Sequence, residues 1–212
     1  RFEQGFLDSS LKEYSGFVSK AHKFFEHEYG LEISDEVRGE LFAKAELCLT
    51  NFFNSDAFME IRRTPIEDWI TLEDFLSFDF EGNKIYLSID FAMKKDGKVI
   101  LYDWKTGKER EAENDLQLTC YALYISEKLG VSPENIEARI FNLAINKEDV
   151  FEVNAFKLEE MKSYIRTSIE GLKALLEDES ENTAKEERFE KKEGYYCKRC
   201  NFRKVCLEGW GE

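Results

Sequence analysis

The chain predicts an α/β fold, a mixed central β-sheet flanked by helices, and three observations carry that reading. A β-hairpin is written into Ile85 to Lys108, IYLSIDFAMKKDGKVILYDWKTGK. A helical pattern follows it directly, and two further strand-like runs come after that helix. Hairpin, crossover helix and later strands together fit one mixed sheet covered by helices.

Taken in order, residues 1–15 show no firm pattern. From about Phe17 to Tyr29, FVSKAHKFFEHEY suits a helix. A second helix is expected from Ser34, a suitable N-cap with Asp35 and Glu36 in the first turn, to about Phe53. Its stripe Val37, Leu41, Ala45, Cys48 and Phe52 is the expected core face, which makes Cys48 a buried small hydrophobe rather than a ligand. Pro65 breaks the pattern between 61 and 74, where IEDWITLEDF leaves room for a short strand. Phe75 to Phe80 reads as a strand, turned by Glu81-Gly82-Asn83 into the hairpin. Asp96-Gly97, between β-branched and aromatic runs, is the hairpin's two-residue turn, since both positions need positive φ.

After Lys108 the charged stretch Glu109 to Asn114 is expected to be a mobile loop. A helix from about Asp115 to Leu129 would turn Leu118, Ala122, Ile125 and Leu129 to the core and Gln117, Tyr121 and Tyr124 along another face. Gly130 ends it, with Pro133 soon after. Glu137 to Ala144 and Asp149 to Val153 read as strands around Asn146-Lys147. A long helix from Ala155 to about Leu176 aligns Leu158, Met161, Ile165, Ile169, Leu172 and Leu176. The expected organisation is one core over 1–176, with N-terminal helices at 17–54, sheet and following helix at 66–153, and the long helix at 155–176. Residues 177–193 are nearly all polar and read as a linker or helix extension, and 194–212 form a cysteine-containing tail.

With 42% hydrophobic residues the 212-residue chain can bury a real core. It has no apolar run long enough to span a membrane and no signal-peptide pattern, so the expectation is a soluble, cytoplasmic protein with no membrane partner. A net charge of −14 argues against coating nucleic acid non-specifically. Local basic groups remain at Lys94, Lys95 and Lys98, at Lys105 and Lys108, and in the tail at Lys191, Lys192, Lys198, Arg199, Arg203 and Lys204.

The hairpin carries the chemistry. With Asp96 and Gly97 as the loop, Lys95 pairs with Lys98, Asp90 falls across from Asp103, and Ser88 faces Lys105. Alternation then puts Asp90, Asp103 and Lys105 on one face and Ile89, Phe91, Met93, Ile100, Tyr102 and Trp104 on the other. Opposed carboxylates repel unless solvent or a cation takes up their charge. Mg²⁺ is such a cation, usually held by one or two carboxylates with water and phosphate, and a neighbouring lysine suits an attacking water or a charged phosphate. The plainer alternative is a solvated strand face.

Ile89-Asp90, the turn, and Asp103-Trp104-Lys105-Thr106-Gly107-Lys108 resemble the PD-(D/E)XK nuclease superfamily, in particular its RecB-like exonuclease branch, whose pattern is an Asp strand followed by D-x-K-T-G. The resemblance implies a restriction-endonuclease-like core and metal-dependent phosphodiester hydrolysis in DNA, most simply by an exonuclease of repair, recombination or processing. It implies Asp90 and Asp103 as ligands of Mg²⁺ or Mn²⁺, joined by the Trp104 carbonyl, with Lys105 as the catalytic lysine. His22-Lys23-Phe24-Phe25-Glu26 resembles the family's H-x-x-L-E helix, making His22 a further metal ligand and His27 its rival. Gln117 and Tyr121 match the Q-x-x-x-Y helix that positions substrate, and Glu67 or Glu73 could supply an upstream acidic residue. A helicase or other repair subunit is the implied partner beside DNA.

Cys197, Cys200 and Cys206, spaced C-x2-C-x5-C, suit soft metal coordination in a reducing compartment. They resemble the tail of iron-sulfur RecB-like nucleases, which implies a 4Fe-4S cluster, but that family's upstream cysteine has no counterpart before His22. The fourth ligand lies in a segment before Arg1 or is absent, and three cysteines would also fill three corners of a zinc site. A second reading keeps the fold without the reaction, as a catalytically silent DNA-binding or assembly subunit.

Overall fold

The computed structural model describes residues 24–107 and 111–206, with backbone alone at 111–114, 204 and 205. It divides into two compact units, Phe42–Ala174 and the described parts of Arg1–Leu41 with Leu175–Glu212. No helix among the described residues is long and apolar enough to cross a membrane.

Phe42–Ala174 contains a five-stranded sheet in sequence order, β1 (Trp69–Phe80), β2 (Asn83–Lys95), β3 (Lys98–Lys105), β4 (Ile136–Asn142) and β5 (Lys147–Phe151). Neighbours are antiparallel except β3 and β4, which run parallel. A parallel pair needs a crossover, and the helix Glu111–Leu129 supplies most of it. Four helices are labelled here: α1 (Asp35–Phe53), α2 (Asp56–Arg63), α3 (Glu111–Leu129) and α4 (Ala155–Lys173). The fold is the expected mixed sheet between helices.

The Asp96-Gly97 turn has φ of 50° and 78°, and Lys95 pairs with Lys98 as read from the sequence. Other boundaries moved. β1 begins at Trp69, so the ambiguous 69–74 stretch and the strand at Phe75 are one element. α3 begins at Glu111 rather than after a loop ending at Asn114, since Glu and Ala are good helix formers. α2 was not anticipated, although Ser55 caps it by accepting the Phe58 N–H at 3.0 Å. The helix extension beyond Leu176 is also absent. Asp178 accepts from the Ser180 and Glu181 N–H groups, an Asp turn that competes with helix, and Asp178 bridges to Thr183.

The hairpin's two faces correct the sequence reading more deeply. Val99 and Leu101 pack with Ala92 against α3 and α4, whose Leu118, Ala122, Ile125, Leu158 and Met161 belong to the same cluster. Ile100 and Tyr102 pack with Phe91 and Met93 against Ala57 and Ile61 of α2. Both faces of β3 are therefore apolar from Val99 to Tyr102, because helices cover both, and charge is confined to Lys98 at its start and Asp103 and Lys105 at its end. Ile89 joins the first cluster and Phe91 the second, although alternation places them on one face. The alternation breaks between them. At the same level Glu73, between the pairs Leu72–Phe91 and Asp74–Ile89, adopts φ 54°, and the Thr71 hydroxyl donates to Asp74 Oδ2 across it at 2.9 Å.

On the α2 side a polar network borders the smaller cluster. Glu60 Oε2 accepts from the Tyr102 hydroxyl at 2.6 Å and from Arg139 at 2.7 Å, while Lys95 pairs with the other Glu60 oxygen. Arg139 also pairs with Glu137 and Glu148 and lies 5.3 Å from the Tyr102 ring centroid.

The expected stripe of α1 is buried only in part. Val37 and Leu41 are 46% and 48% exposed, while Cys48 is buried. The tail's unit contains a helical turn at Phe25–Glu28, a 3-10 turn at Tyr195–Arg199 and a helical turn at Arg203–Cys206. There the Tyr29 hydroxyl donates to Asn201 O at 3.3 Å, and the Arg203 guanidinium lies 5.8 Å from the Tyr29 ring centroid.

Candidate active site

The β2–β3 ladder ends at the pair Phe91–Tyr102. One step further the expected opposition brings Asp90 level with Asp103, but no strand pair forms there. Instead the Trp104 N–H donates to Asp90 Oδ2 at 2.7 Å. A side-chain carboxylate thus takes the place of a strand carbonyl, and the two strands diverge. The expected pairing of Ser88 with Lys105 is not formed, because β3 has left β2 by that level, while Ser88 keeps its pair with Phe75 of β1. The sheet forks at its two carboxylates.

Asp103 is 1% exposed, and its Oδ2 is fully enclosed. Lys105 Nζ lies 2.7 Å from that oxygen. Lys105 is thus the one charged partner of that enclosed oxygen among the described residues, and it bears on the Asp103 carboxyl as both a bonded neighbour and a positive charge. Burial pushes the Asp103 carboxyl above its ordinary range, the Asp90 charge pushes the same way, and Lys105 opposes both. Lys105 Nζ also donates to Gln117 Oε1 at 2.8 Å, and Gln117 Nε2 donates to the Tyr121 oxygen at 2.6 Å. Burial is the main reason that the Tyr121 phenol is pushed up to about 12, with Asp103 and Asp90 adding to it against the Gln117 bond. Tyr121 accepts from Gln117, so its own proton remains available to another acceptor.

The structure thus gathers Asp90, Asp103, Lys105, Gln117 and Tyr121. The helix spacing brings Gln117 and Tyr121 to the strand end because residues four apart share a face. Tyr124 goes instead to the core, its ring 6.0 Å from that of Phe78. Trp104 lies between the two site residues of β3, with its indole stacked on Tyr102 at 4.9 Å. Glu67 and Glu73 are exposed. His22 lies outside the described residues. His27 sits in the Phe25–Glu28 turn, its ring 5.7 Å from that of Phe24.

Asn142 was not singled out by the sequence. It is buried, and its Nδ2 donates to Gly107 O at 3.0 Å while its Oδ1 accepts from the Ala144 N–H at 3.1 Å. With the Leu143 N–H donating to Lys105 O at 2.7 Å, the end of β4 pins the chain just after the lysine. The available signal was an Asn closing the apolar run Ile140-Phe141.

The cysteine tail does not gather as three ligands. Cys197 Sγ accepts from the Gly194 N–H at 3.2 Å and Cys200 Sγ from the Phe202 N–H at 3.4 Å, while Cys206 is exposed. These local bonds direct the sulfurs to their own turns. Among the described residues no group of three or more His, Cys, Asp or Glu side chains could hold a metal ion.

The paired carboxylates fit a hard cation in a different way. They supply carboxylate oxygen donors, and the buried Asp103, pushed up by burial and by the Asp90 charge, is the group that gains most from a cation. A carboxyl whose folded pKa is raised stabilises the fold below its unfolded pKa and loses that contribution as pH rises through the folded value. Asp103→Asn should therefore raise the melting temperature of the metal-free protein at pH 7, by about 2–4 °C for each ~1 kcal/mol gained. Adding Mn²⁺ should raise the wild-type value and leave the variant unmoved. Calorimetry in EDTA and in Mn²⁺ checks both, and a variant that melts lower in EDTA contradicts the charge-burial account.

An α/β sheet forked at two carboxylates, with a lysine two residues after the second and a glutamine from the next helix on that lysine, is a nuclease-type core. The chain belongs to the PD-(D/E)XK nuclease superfamily, whose family model matches residues 20–207, and its mixed sheet with flanking helices agrees with a restriction-endonuclease-like fold. No curated protein matches the chain.

Proposed function

We propose that this chain is a divalent-metal-dependent deoxyribonuclease of the RecB-like type, hydrolysing phosphodiester bonds as an exonuclease. The observation that carries the reading is the enclosed Asp103 carboxylate, held beside the Asp90 charge with Lys105 on its Oδ2 at 2.7 Å. A buried, incompletely satisfied carboxylate is costly unless a cation completes it. Asp90 and Asp103 would hold Mg²⁺ or Mn²⁺, with the Trp104 carbonyl and His22 as further candidates. Such an ion, when bound, polarises a phosphoryl oxygen and makes water more acidic.

The remaining groups orient and neutralise. Lys105 has three donors, of which Gln117 engages one and Asp103 holds the charge close. Another donor is left for the attacking water or a non-bridging phosphate oxygen, where it would stabilise charge growing in the transition state. Gln117 keeps the ammonium from swinging toward solvent. Tyr121, protonated at neutral pH, has its proton to offer a phosphate oxygen. The cysteine tail takes no part in this scheme.

The test is cleavage of linear and circular DNA, single- and double-stranded, in Mg²⁺, Mn²⁺ or EDTA, beside Asp103→Ala. Metal-dependent cleavage of linear substrates alone, absent in the variant, is the expected result. Cutting of closed circles would replace exonuclease by endonuclease. Binding without cleavage under every condition would overturn the reading in favour of a silent DNA-binding subunit.

A further inference from the structure

Past the fork, β1 and β2 continue as a ribbon paired from Leu72–Phe91 to Phe80–Asn83. One side packs inward through Phe78, Phe80 and Leu87, with the Arg166 guanidinium 5.5 Å from the Phe80 ring centroid and paired to Glu81. The other side carries two aromatic rings that join neither core cluster. Phe75 and Tyr86 are 76% and 55% exposed, and they stack with centroids 5.3 Å apart and planes 12° from parallel. They are diagonal neighbours, since Phe75 pairs with Ser88 and Ser77 with Tyr86. The small serines leave the rings uncovered. Lys84 Nζ lies 5.3 Å from the Tyr86 ring centroid.

A single exposed aromatic is ordinary. Two stacked rings on an open strand face, four residues along β2 from Asp90, are more specific. Four residues of strand span about 13 Å, roughly four nucleotides at the 3.4 Å rise of a stacked strand. Unpaired bases have free π-faces, whereas those in a duplex are covered by their neighbours, and exposed aromatics on a sheet are a recurrent platform for single strands. The acidic character of the chain is compatible with this, because stacking does not require a wide basic surface. Lys84 supplies one local phosphate contact, and the carboxylate across from it, Asp79, is engaged by the Gly82 N–H at 3.1 Å.

We propose that Phe75 and Tyr86 form a stacking platform for unpaired bases of single-stranded DNA and guide that strand to Asp90 and Asp103. The strand's destination rests on the nuclease reading; the platform itself does not. Its grip depends more on ring faces than on charge.

The experiment is fluorescence anisotropy with labelled dT20 and a 20-base-pair duplex, in EDTA so that neither is cut. The full chain should bind dT20 more tightly than duplex. Phe75→Ala and Tyr86→Ala should each weaken dT20 binding by about tenfold, a loss within the range for one stacked base, with little effect on duplex. Tyr86→Phe should bind like wild type, because it keeps the ring. Lys84→Ala should lower the salt slope by about one. Both rings are exposed, so unchanged melting temperatures would separate lost contacts from lost fold. The proposal is overturned if wild type fails to bind dT20, if the alanine variants bind it unchanged, or if they lose duplex and single strand equally. An enzyme that cleaves normally while these variants bind normally would retain the nuclease reading without the platform. Selective loss of dT20 binding in a protein that cuts nothing would retain the platform without the nuclease.

Discussion

Lys105→Ala should lower the rate of metal-dependent DNA cleavage by about 10²–10³-fold, the usual cost of deleting a preorganised electrostatic group. The ammonium is held near the reacting region from two sides, by Asp103 at 2.7 Å and by Gln117 at 2.8 Å. The loss should fall on kcat, since the group acts on charge that grows during the reaction. Lys105→Arg should recover little of the rate, because a planar guanidinium cannot place one compact charge between a carboxylate and an amide. Single-turnover cleavage with saturating Mn²⁺, beside anisotropy in EDTA, separates chemistry from binding. Undiminished cleavage by Lys105→Ala would remove the lysine from the mechanism.

Arg139→Ala should cost about 1–3 kcal/mol of stability, the range for leaving the partners of a half-buried charged group unsatisfied. Arg139 is the common cation for Glu60, Glu137 and Glu148. Burial would raise the Glu60 and Glu137 carboxyls, but their bonded partners win: Lys95, Tyr102 and Arg139 hold Glu60 down, and Arg139 and Lys98 hold Glu137 down. Burial wins at Glu148, which stands above the ordinary range despite Arg139.

In the wild type, the lowered Glu60 and Glu137 contribute stability above the unfolded carboxylate pKa and lose it as pH falls through their folded values. Without Arg139, burial is less opposed at all three sites and their folded pKa values rise. The variant then gains from protonation where the wild type does not, so its deficit should narrow between pH 7 and pH 5. Urea unfolding at both values measures this, and a deficit below ~1 kcal/mol or one that widens toward acid would contradict the account.

The hairpin and the grouping of its charged residues were legible because they are local. Asp-Gly sets the turn and the turn sets a register that holds as far as Phe91–Tyr102, one step short of Asp90 and Asp103. Helix spacing put Gln117 and Tyr121 on one face of the next element, and the resemblance to a Q-x-x-x-Y helix pointed that face at the lysine. What escaped depends on groups distant in sequence or on the shape of the sheet. Glu60, Tyr102, Arg139 and Glu148 look like separate surface positions until β3, β4 and α2 meet. The break in alternation that sends Ile89 and Phe91 to different clusters lies at the level of the left-handed residue Glu73 on the neighbouring strand. A period-two reading of β2 alone has no means of registering it. Asn142 was missed for a related reason, since its partner Gly107 lies across a parallel pair formed only after the crossover.

That Asn142 bond bears on how the protein can vary. Gly107 is tethered by β4, a strand that arrives more than thirty residues later. The position of the residues just after Lys105 is consequently set in part by the sheet and not by local sequence alone. Closing a longer loop costs only about 0.6 kcal/mol per doubling, so a lengthened link between Gly107 and the following helix should leave Lys105 where the sheet puts it. Tolerance of change after the lysine is thereby written into a residue of another strand, Asn142.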